Sequence, residues 1–471
     1  MAQTALSSEV RRLALPAILH SLLQTLVFVV DRIMLGRHGE ASLAAMQLGG
    51  AIEWSIWSVF AAFEVGTIAR VGRHVGARDP ESARRAAVLS LGMAAAVGTA
   101  LALASPWLLD LLPLVFTKAS PGALEEARGY LAMTIAASPV VFVATISVAT
   151  LQAGGDTRTP LAIGIAANIV HIGLNYVLIA KLGARGAGIS TAITFALEAA
   201  LATAALLGVQ RTVSLRARAR SSASASASAS ASASASASAS AAAMRGEARM
   251  LARIAVPAFA ERVLYHVGYV GYVLIIARLG DASMAANQSL ISVESICFLS
   301  ADGFGIAAAA LVAQKLGAGE PEAAVKVARI GARDAVMALT LFGLTALALR
   351  SLILPLFSHD PEVLAIGRAA MPVLAVAQPF MAVGIVLAQS LRGAGRTREA
   401  LGISFIGAVI VRLSATWIFA ITLGFGLTGV WMGSTLDWVA RSVLLGVLGS
   451  RTAARAAAAR ALAASGARVA P

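Results

Sequence analysis

Charge and cysteine are both scarce in this chain of 471 residues. Only 13% of it is Asp, Glu, Lys or Arg, where a soluble domain carries about 25%. With 58% hydrophobic residues and a mean hydropathy of +0.80, an ordinary soluble enzyme is excluded, and much of the surface must face lipid. The single cysteine, Cys297, excludes a disulfide framework and a cysteine-built metal cluster. Acids are the rarer charge, 24 against 38 Lys and Arg, giving +14. In a soluble chain that excess would point to nucleic acid.

What the chain has instead is long apolar runs. Stretches of about 20 residues, the length of a bilayer-crossing helix, lie at 13–35, 44–69, 88–112, 130–150, 160–181, 187–208, 254–278, 286–311, 334–356, 371–390, 401–421 and 427–448. The twelve runs predict an all-α integral membrane protein, because membrane strands would alternate over about ten residues. Gly and Ala scattered through them allow close helix packing. Basic residues gather in alternate loops: Arg11 and Arg12, then Arg70, Arg73, Arg78, Arg84 and Arg85, the middle linker and the C-terminal tail. The positive-inside rule places both termini in the cytoplasm and accounts for the basic excess without nucleic acid. Arg11 and Arg12 lead into a run too long for a signal peptide, with no small-residue cleavage site behind it, so the first helix is expected to stay.

The halves repeat. Arg12-Leu-Ala-Leu-Pro16 returns as Arg253-Ile-Ala-Val-Pro257, and Gly76-Ala-Arg-Asp-Pro80 as Gly317-Ala-Gly-Glu-Pro321, both 241 residues on; Gly39, Gln47 and Glu53 meet Gly280, Gln288 and Glu294 at the same shift. Leu151-Gln-Ala-Gly-Gly-Asp-Thr-Arg158 meets Leu391-Arg-Gly-Ala-Gly-Arg-Thr-Arg398 at a shift of 240, with Pro139 opposite Pro379. An even number of spans per half makes the repeats parallel, related by a pseudo-two-fold axis along the membrane normal. The expected organisation is an N-lobe at 1–210, a cytoplasmic Ala/Ser-rich linker at 211–250, a C-lobe at 251–450 and a basic Ala/Arg tail at 451–471. The linker's Ala-Ser alternation offers no apolar face and reads as disordered or weakly helical; Arg216, Arg218, Arg220, Arg245 and Arg249 flank it and suit anionic headgroups. Two six-helix lobes about a central cavity form the architecture of an alternating-access carrier.

Several segments resemble the multidrug and toxic compound extrusion (MATE) transporters over nearly the whole chain. They are Pro16 with Val-Val-Asp31-Arg-Ile-Met-Leu-Gly36, Leu151-Gln-Ala-Gly-Gly-Asp-Thr-Arg-Thr-Pro160, Asn175-Tyr-Val-Leu-Ile179 and Gly186-Ala-Gly-Ile-Ser-Thr191. In the second half Ala285-Ala-Asn-Gln288 and Leu311-Val-Ala-Gln-Lys-Leu-Gly-Ala-Gly319 look like the same signatures. The resemblance implies a bacterial inner-membrane exporter of cationic or amphipathic small molecules in exchange for protons or, less favoured, sodium ions. It also implies no cofactor and no metal centre, sodium at Asp31 being the alternative to a proton, and a monomer is expected. The family's ion-coupling positions read here Asp31, His171, Asn175 and Thr191. Many relatives have Asn at His171 and some have Asp at Asn175, so this site loses a possible carboxylate and gains an imidazole. Glu261 follows Pro257, as in one bacterial branch.

Carboxylates within the membrane are costly and mark ion or substrate paths. The candidates are Asp31, Glu198, Glu261, Glu294, Asp302 and Asp437, with Glu53 and Glu64 as cavity candidates. Against function stand ion pairs of Asp31 with Arg32 and of Glu261 with Arg262, and Asp437 faces Arg441 one turn away. Arg412, inside the eleventh span, needs an acidic partner, for which Glu261 and Asp437 are available. Asn168, His171 and Asn175 share a helix face; beside Asp31, His171 would share a proton near neutral pH. Trp54, Trp57, Phe60 and Phe63, and Tyr265, Tyr269 and Tyr272, are either lipid-facing or a cavity wall for flat cations. Met46 and Met381 would suit a yielding surface. A flippase for lipid-linked precursors would carry a more basic cavity, and an intramembrane enzyme is disfavoured by the lack of a His-Glu-x-x-His or Gly-x-Ser-x-Gly motif.

Overall fold

The computed structural model describes residues 2–117, 119–208, 212–216 and 229–464. Among them there is no strand. The helices are α1 (Ala2–His38), α2 (Glu40–Gly76), α3 (Pro80–Asp110), α4 (Leu112–Val115), α5 (Pro121–Ala136), α6 (Ser138–Ala153), α7 (Arg158–Leu206), α8 (Ala229–Ala277), α9 (Asp281–Gly317), α10 (Pro321–Ala348), α11 (Arg350–Ile353), α12 (Pro361–Gly393), α13 (Thr397–Ser404), α14 (Arg412–Trp417) and α15 (Gly426–Ala464). Seven helices among the described residues are long and apolar enough to cross a membrane, and α5 with α6, bent by 53°, adds an eighth. The 49-residue α7 holds two of the sequence's runs, because Gly183 (φ 57°) breaks it. The Ala-Ser alternation is helical from Ala229, as alanine's helix propensity allows. Arg218 and Arg220 lie outside the described residues.

Tertiary contacts divide the chain into two compact units, Leu23–Phe259 and Met1–Leu22 with the chain from Ala260 onward. In the first of these, α3 and α6 approach so closely that a Cβ on Gly98 would lie 2.5 Å from Pro139 Cα. Phe60 of α2 stacks on Phe142 of α6, centroids 3.5 Å apart. The start of α8 belongs here: Ile254 and Ala258 share an apolar cluster with Ala62, Val65 and Ala69 of α2. Arg70 of α2 holds the Glu247 carboxylate of α8 through two bonds, 2.7 and 2.6 Å.

The other unit has its core among α9, α10, α12 and α15, joined by Val10, Leu13 and Ala14 of α1. Gly303 and Gly393 provide its closest approaches, a Cβ on the former meeting Ile18 Cα at 2.5 Å and on the latter Ala309 Cα at 2.6 Å. Two π-helical stretches, Phe405–Val411 and Ile418–Thr422, flank α14. Met46 and Met381 are 2% and 0% exposed and fill cores, so neither forms the yielding surface expected of it. Their unbranched side chains pack against Gly50 in the one case and the α9 and α10 core in the other.

Candidate ion-coupling site in the first half

Helix α1 carries Asp31 and α7 carries His171 and Asn175, four residues apart and so on one face. All three are buried, Asp31 and His171 to 1% exposure. His171 Nε2 lies 2.7 Å from Asp31 Oδ1. Asn175 Nδ2 donates to the same oxygen at 2.5 Å and lies 3.0 Å from His171 Nε2. Arg32, next to Asp31 in sequence, is exposed; successive helix side chains diverge by about 100°, so the expected Asp31–Arg32 ion pair does not describe this carboxylate.

The break at Gly183 brings the second segment of α7 back to the first. A Cβ there would strike the Glu126 carboxylate, whose oxygen accepts the Ala184 backbone N–H at 2.6 Å and so caps the returning segment. Ser190 and Thr194 consequently reach the far side of the imidazole, their hydroxyl oxygens 3.3 and 3.2 Å from Nδ1. Thr191 is buried. Among the described residues the hydroxyls that reach His171 are those of its neighbours, Ser190 and Thr194. Their spacing of four was legible within and just beyond the Gly-Ala-Gly-Ile-Ser-Thr segment; that they face an imidazole depends on the turn at Gly183.

Glu53 of α2 accepts the phenol hydroxyl of Tyr130 on α5, and both are fully enclosed. Glu64 is half-buried on the same helix, and Glu198 is buried on α7. The acids of the second half have a different surrounding. Glu261 is bound by Arg392 (2.5 and 3.1 Å) and by the Ser404 hydroxyl (2.5 Å), so its partner is not the expected Arg262. Adjacent side chains on a helix diverge by about 100°, and α12 and α13 supply the donors. Asp302 accepts from Gln389 at 2.6 Å. Asp437 takes Arg412 at 2.8 Å and Arg441 at 2.5 Å, which selects Asp437 over Glu261 as the acid for Arg412. Glu294 is half-buried on α9. Tyr269 stacks with Tyr272 at 6.3 Å, and Tyr265 meets His266 edge-on at 5.9 Å. Trp57 contacts Phe195 edge-on at 5.0 Å and Phe60 is in the core, while Trp54 is half exposed.

Fixed cations thus neutralise Glu261 and Asp437, whereas Asp31 is faced by an amide and a titratable ring. Only the latter arrangement can exchange a proton without breaking a buried ion pair.

The MatE family model matches residues 16–177 and again 257–418. The chain belongs to the MatE family. It is a membrane-spanning transporter and not an enzyme, and the double match follows the internal repeat. It is 24% identical over 442 residues to the probable multidrug resistance protein NorM of Thermotoga maritima, covering 93% of this chain and 90% of that protein. With the probable NorM of Pseudomonas putida it shares 27% over 450 residues, 92% of each. Among solved structures, an outward-facing multidrug resistance MATE family transporter of the MOP superfamily superposes with a TM-score of 0.85 at 18% identity, over 95% of this chain and 96% of that one. A mutant of the Vibrio cholerae MATE transporter VcmN gives 0.84 at 17%, over 95% and 97%. The fold is therefore that of these transporters.

Proposed function

We propose that this MatE protein exports cationic or amphipathic small molecules across the bacterial inner membrane by antiport with protons. The observation that carries the reading is the buried contact of 2.7 Å between Asp31 Oδ1 and His171 Nε2. Two atoms that are both acceptors when deprotonated stand at hydrogen-bond distance, so a proton between them satisfies both. A gap of that length suits a proton rather than an intervening metal ion. The multidrug resistance names of the relatives support the substrate class, and their bacterial sources support the membrane.

In the proposed cycle, protonation of the pair cancels the carboxylate charge, weakens the hold on a cation and favours its release outside. Loss of the proton to the cytoplasm restores the anion that attracts the next one. Exchange of one proton for one monovalent cation moves no net charge, so the pH gradient alone would drive it; a neutral substrate would also draw on the membrane potential, about 2.3 kcal/mol per 100 mV.

The test is ethidium efflux from cells or inverted vesicles, with pH and sodium gradients imposed separately and Asp31→Asn alongside. Efflux under a pH gradient alone, lost in Asp31→Asn, supports the proposal. Efflux that requires sodium overturns proton coupling, and none under either gradient overturns the substrate class.

A further inference from the structure

Ser190 and Thr194 have spent their hydrogens elsewhere. The Thr194 hydroxyl donates to the Ser190 carbonyl at 2.8 Å, and the Ser190 hydroxyl donates to the His171 carbonyl at 3.1 Å. A hydroxyl has one hydrogen to give, so toward His171 Nδ1 both oxygens act only as acceptors. With both hydroxyls so committed, Nδ1 is satisfied by them if it carries a hydrogen, which in the neutral ring leaves Nε2 bare. On that side Asn175 Nδ2 donates to Asp31 Oδ1 and stands 3.0 Å from Nε2, a contact that a bare Nε2 can accept.

We infer that Ser190 and Thr194 are positioning residues that lock His171 in its Nδ1–H tautomer, so that the ring and Asp31 together form a trap for one proton. This rests on the proton-antiport reading and specifies what sets the proton affinity. When the proton is present it sits between Oδ1 and Nε2. When it leaves, a carboxylate oxygen faces a bare ring nitrogen. The ring could relieve that repulsion only by moving its hydrogen to Nε2, and Nδ1 would then face two acceptors unless the hydroxyls abandoned their carbonyls in a helix interior. Asn175 Nδ2 can donate to both atoms in the empty state, but no hydrogen then lies between Oδ1 and Nε2, so the locked tautomer holds the proton more tightly than a ring free to present Nε2–H. Without the lock, a neutral ring would donate from Nε2 to the Asp31 anion and stabilise the empty state.

Other titratable groups surround the pair. Glu53 on α2 and Tyr130 on α5 interact electrostatically with Asp31, as does Arg32 with Tyr130; Glu198 is buried further along α7, and α6 contributes none. None is altered by a change at Thr194 or Ser190.

The experiment is nitrogen-15 NMR of histidine-labelled, full-length protein in lipid nanodiscs, titrated with pH, the His171 signals being assigned by their loss in His171→Asn. In the wild type the neutral ring should show Nδ1 protonated and Nε2 bare. In Ser190→Ala/Thr194→Val the neutral ring should switch to Nε2–H, and the midpoint of proton uptake should fall by about one pH unit, a tenfold weaker hold. Thr194→Ser, with Ser190 intact, should restore both. A neutral wild-type ring protonated at Nε2 overturns the inference even if the double variant fails to fold, as does an unchanged midpoint in a folded double variant. Because the tautomer is read without transport, this result stands apart from whether the protein exports ethidium.

Discussion

Arg412 lies over the ring of Tyr272, its guanidinium carbon 5.7 Å from the centroid, and the two stand at the repeat positions of His171 and Asp31, each 241 residues on. The register supports the correspondence. Gly424 lies 241 residues after Gly183 and, like it, has positive φ, 72° against 57°. Between Leu391, where the shift is 240, and Arg412 lies the π-helical stretch Phe405–Val411, which accommodates an extra residue within a helix. Duplication preserved the placement and changed the chemistry, from a titratable pair to a permanent cation on an aromatic face.

Of these two repeat-related positions, only the first-half pair should accordingly sense protons. His171→Asn is expected to shift the pH profile of efflux toward acid, because Asp31 loses the base that shares its proton. Arg412→Gln should leave that midpoint within 0.3 of a unit, roughly 0.4 kcal/mol, whatever it does to stability. Efflux rates measured from pH 5.5 to 8.5 distinguish the two.

Asp437 pairs with two arginines at once while itself 0% exposed. Asp437→Asn should cost about 3–5 kcal/mol, the usual result of stranding a buried charge. Arg441→Gln should cost less, since Arg412 still pairs with the acid. Thermal unfolding in detergent, followed by loss of the monodisperse peak on size exclusion, ranks the two.

A pair of glycines on α3 separates packing from propensity. A Cβ on Gly98 would meet Pro139 at 2.5 Å, whereas one on Gly92 has nothing within 4 Å. Gly98→Ala should destabilise by about 1–3 kcal/mol through overpacking, and Gly92→Ala should be neutral or stabilising by up to about 1 kcal/mol. The same thermal assay reads both.

Glu126 caps the second segment of α7 by accepting the Ala184 N–H. Glu126→Ala should weaken that segment by about 1–2 kcal/mol and raise trypsin cleavage at Lys181 and Arg185, the basic residues beside the break. Glu126→Gln, which keeps an acceptor oxygen, should be the milder change.

Outside the membrane, Asp79 is the N-cap of α3 and accepts from the Ser82 N–H at 2.9 Å. Hydrogen bonds from Ser82 hold its carboxyl below the usual aspartate range. A folded-state value that is lowered means the cap contributes fully above the ordinary value near 3.8 and is lost as pH falls through the lowered one. Asp79→Ala should therefore reduce stability by about 1 kcal/mol at neutral pH, with the difference from wild type shrinking as pH falls. Thermal unfolding at pH 7 and at pH 2.5 compares them.

The sequence by itself determined the solvent, the helical class, the duplicated architecture and the family. Each of these depends on properties that are additive along a chain: hydropathy over about 20 residues, basic residues by loop, and identities at a constant shift. Asp31, His171 and Asn175 were singled out as candidates by the family resemblance together with a polar face at spacing four, since a carboxylate in an apolar run alone marks eight acids here. Partnership was not legible, because it depends on directions that only packing sets. Arg262 is adjacent to Glu261 yet Arg392 binds it from 131 residues away, while Asp437 takes both its sequence neighbour Arg441 and the distant Arg412. The tautomer of His171 lay further out of reach: it follows from two hydroxyl hydrogens committed to backbone carbonyls after the chain doubles back at Gly183, and only the three-dimensional arrangement decides where a hydrogen is left to give.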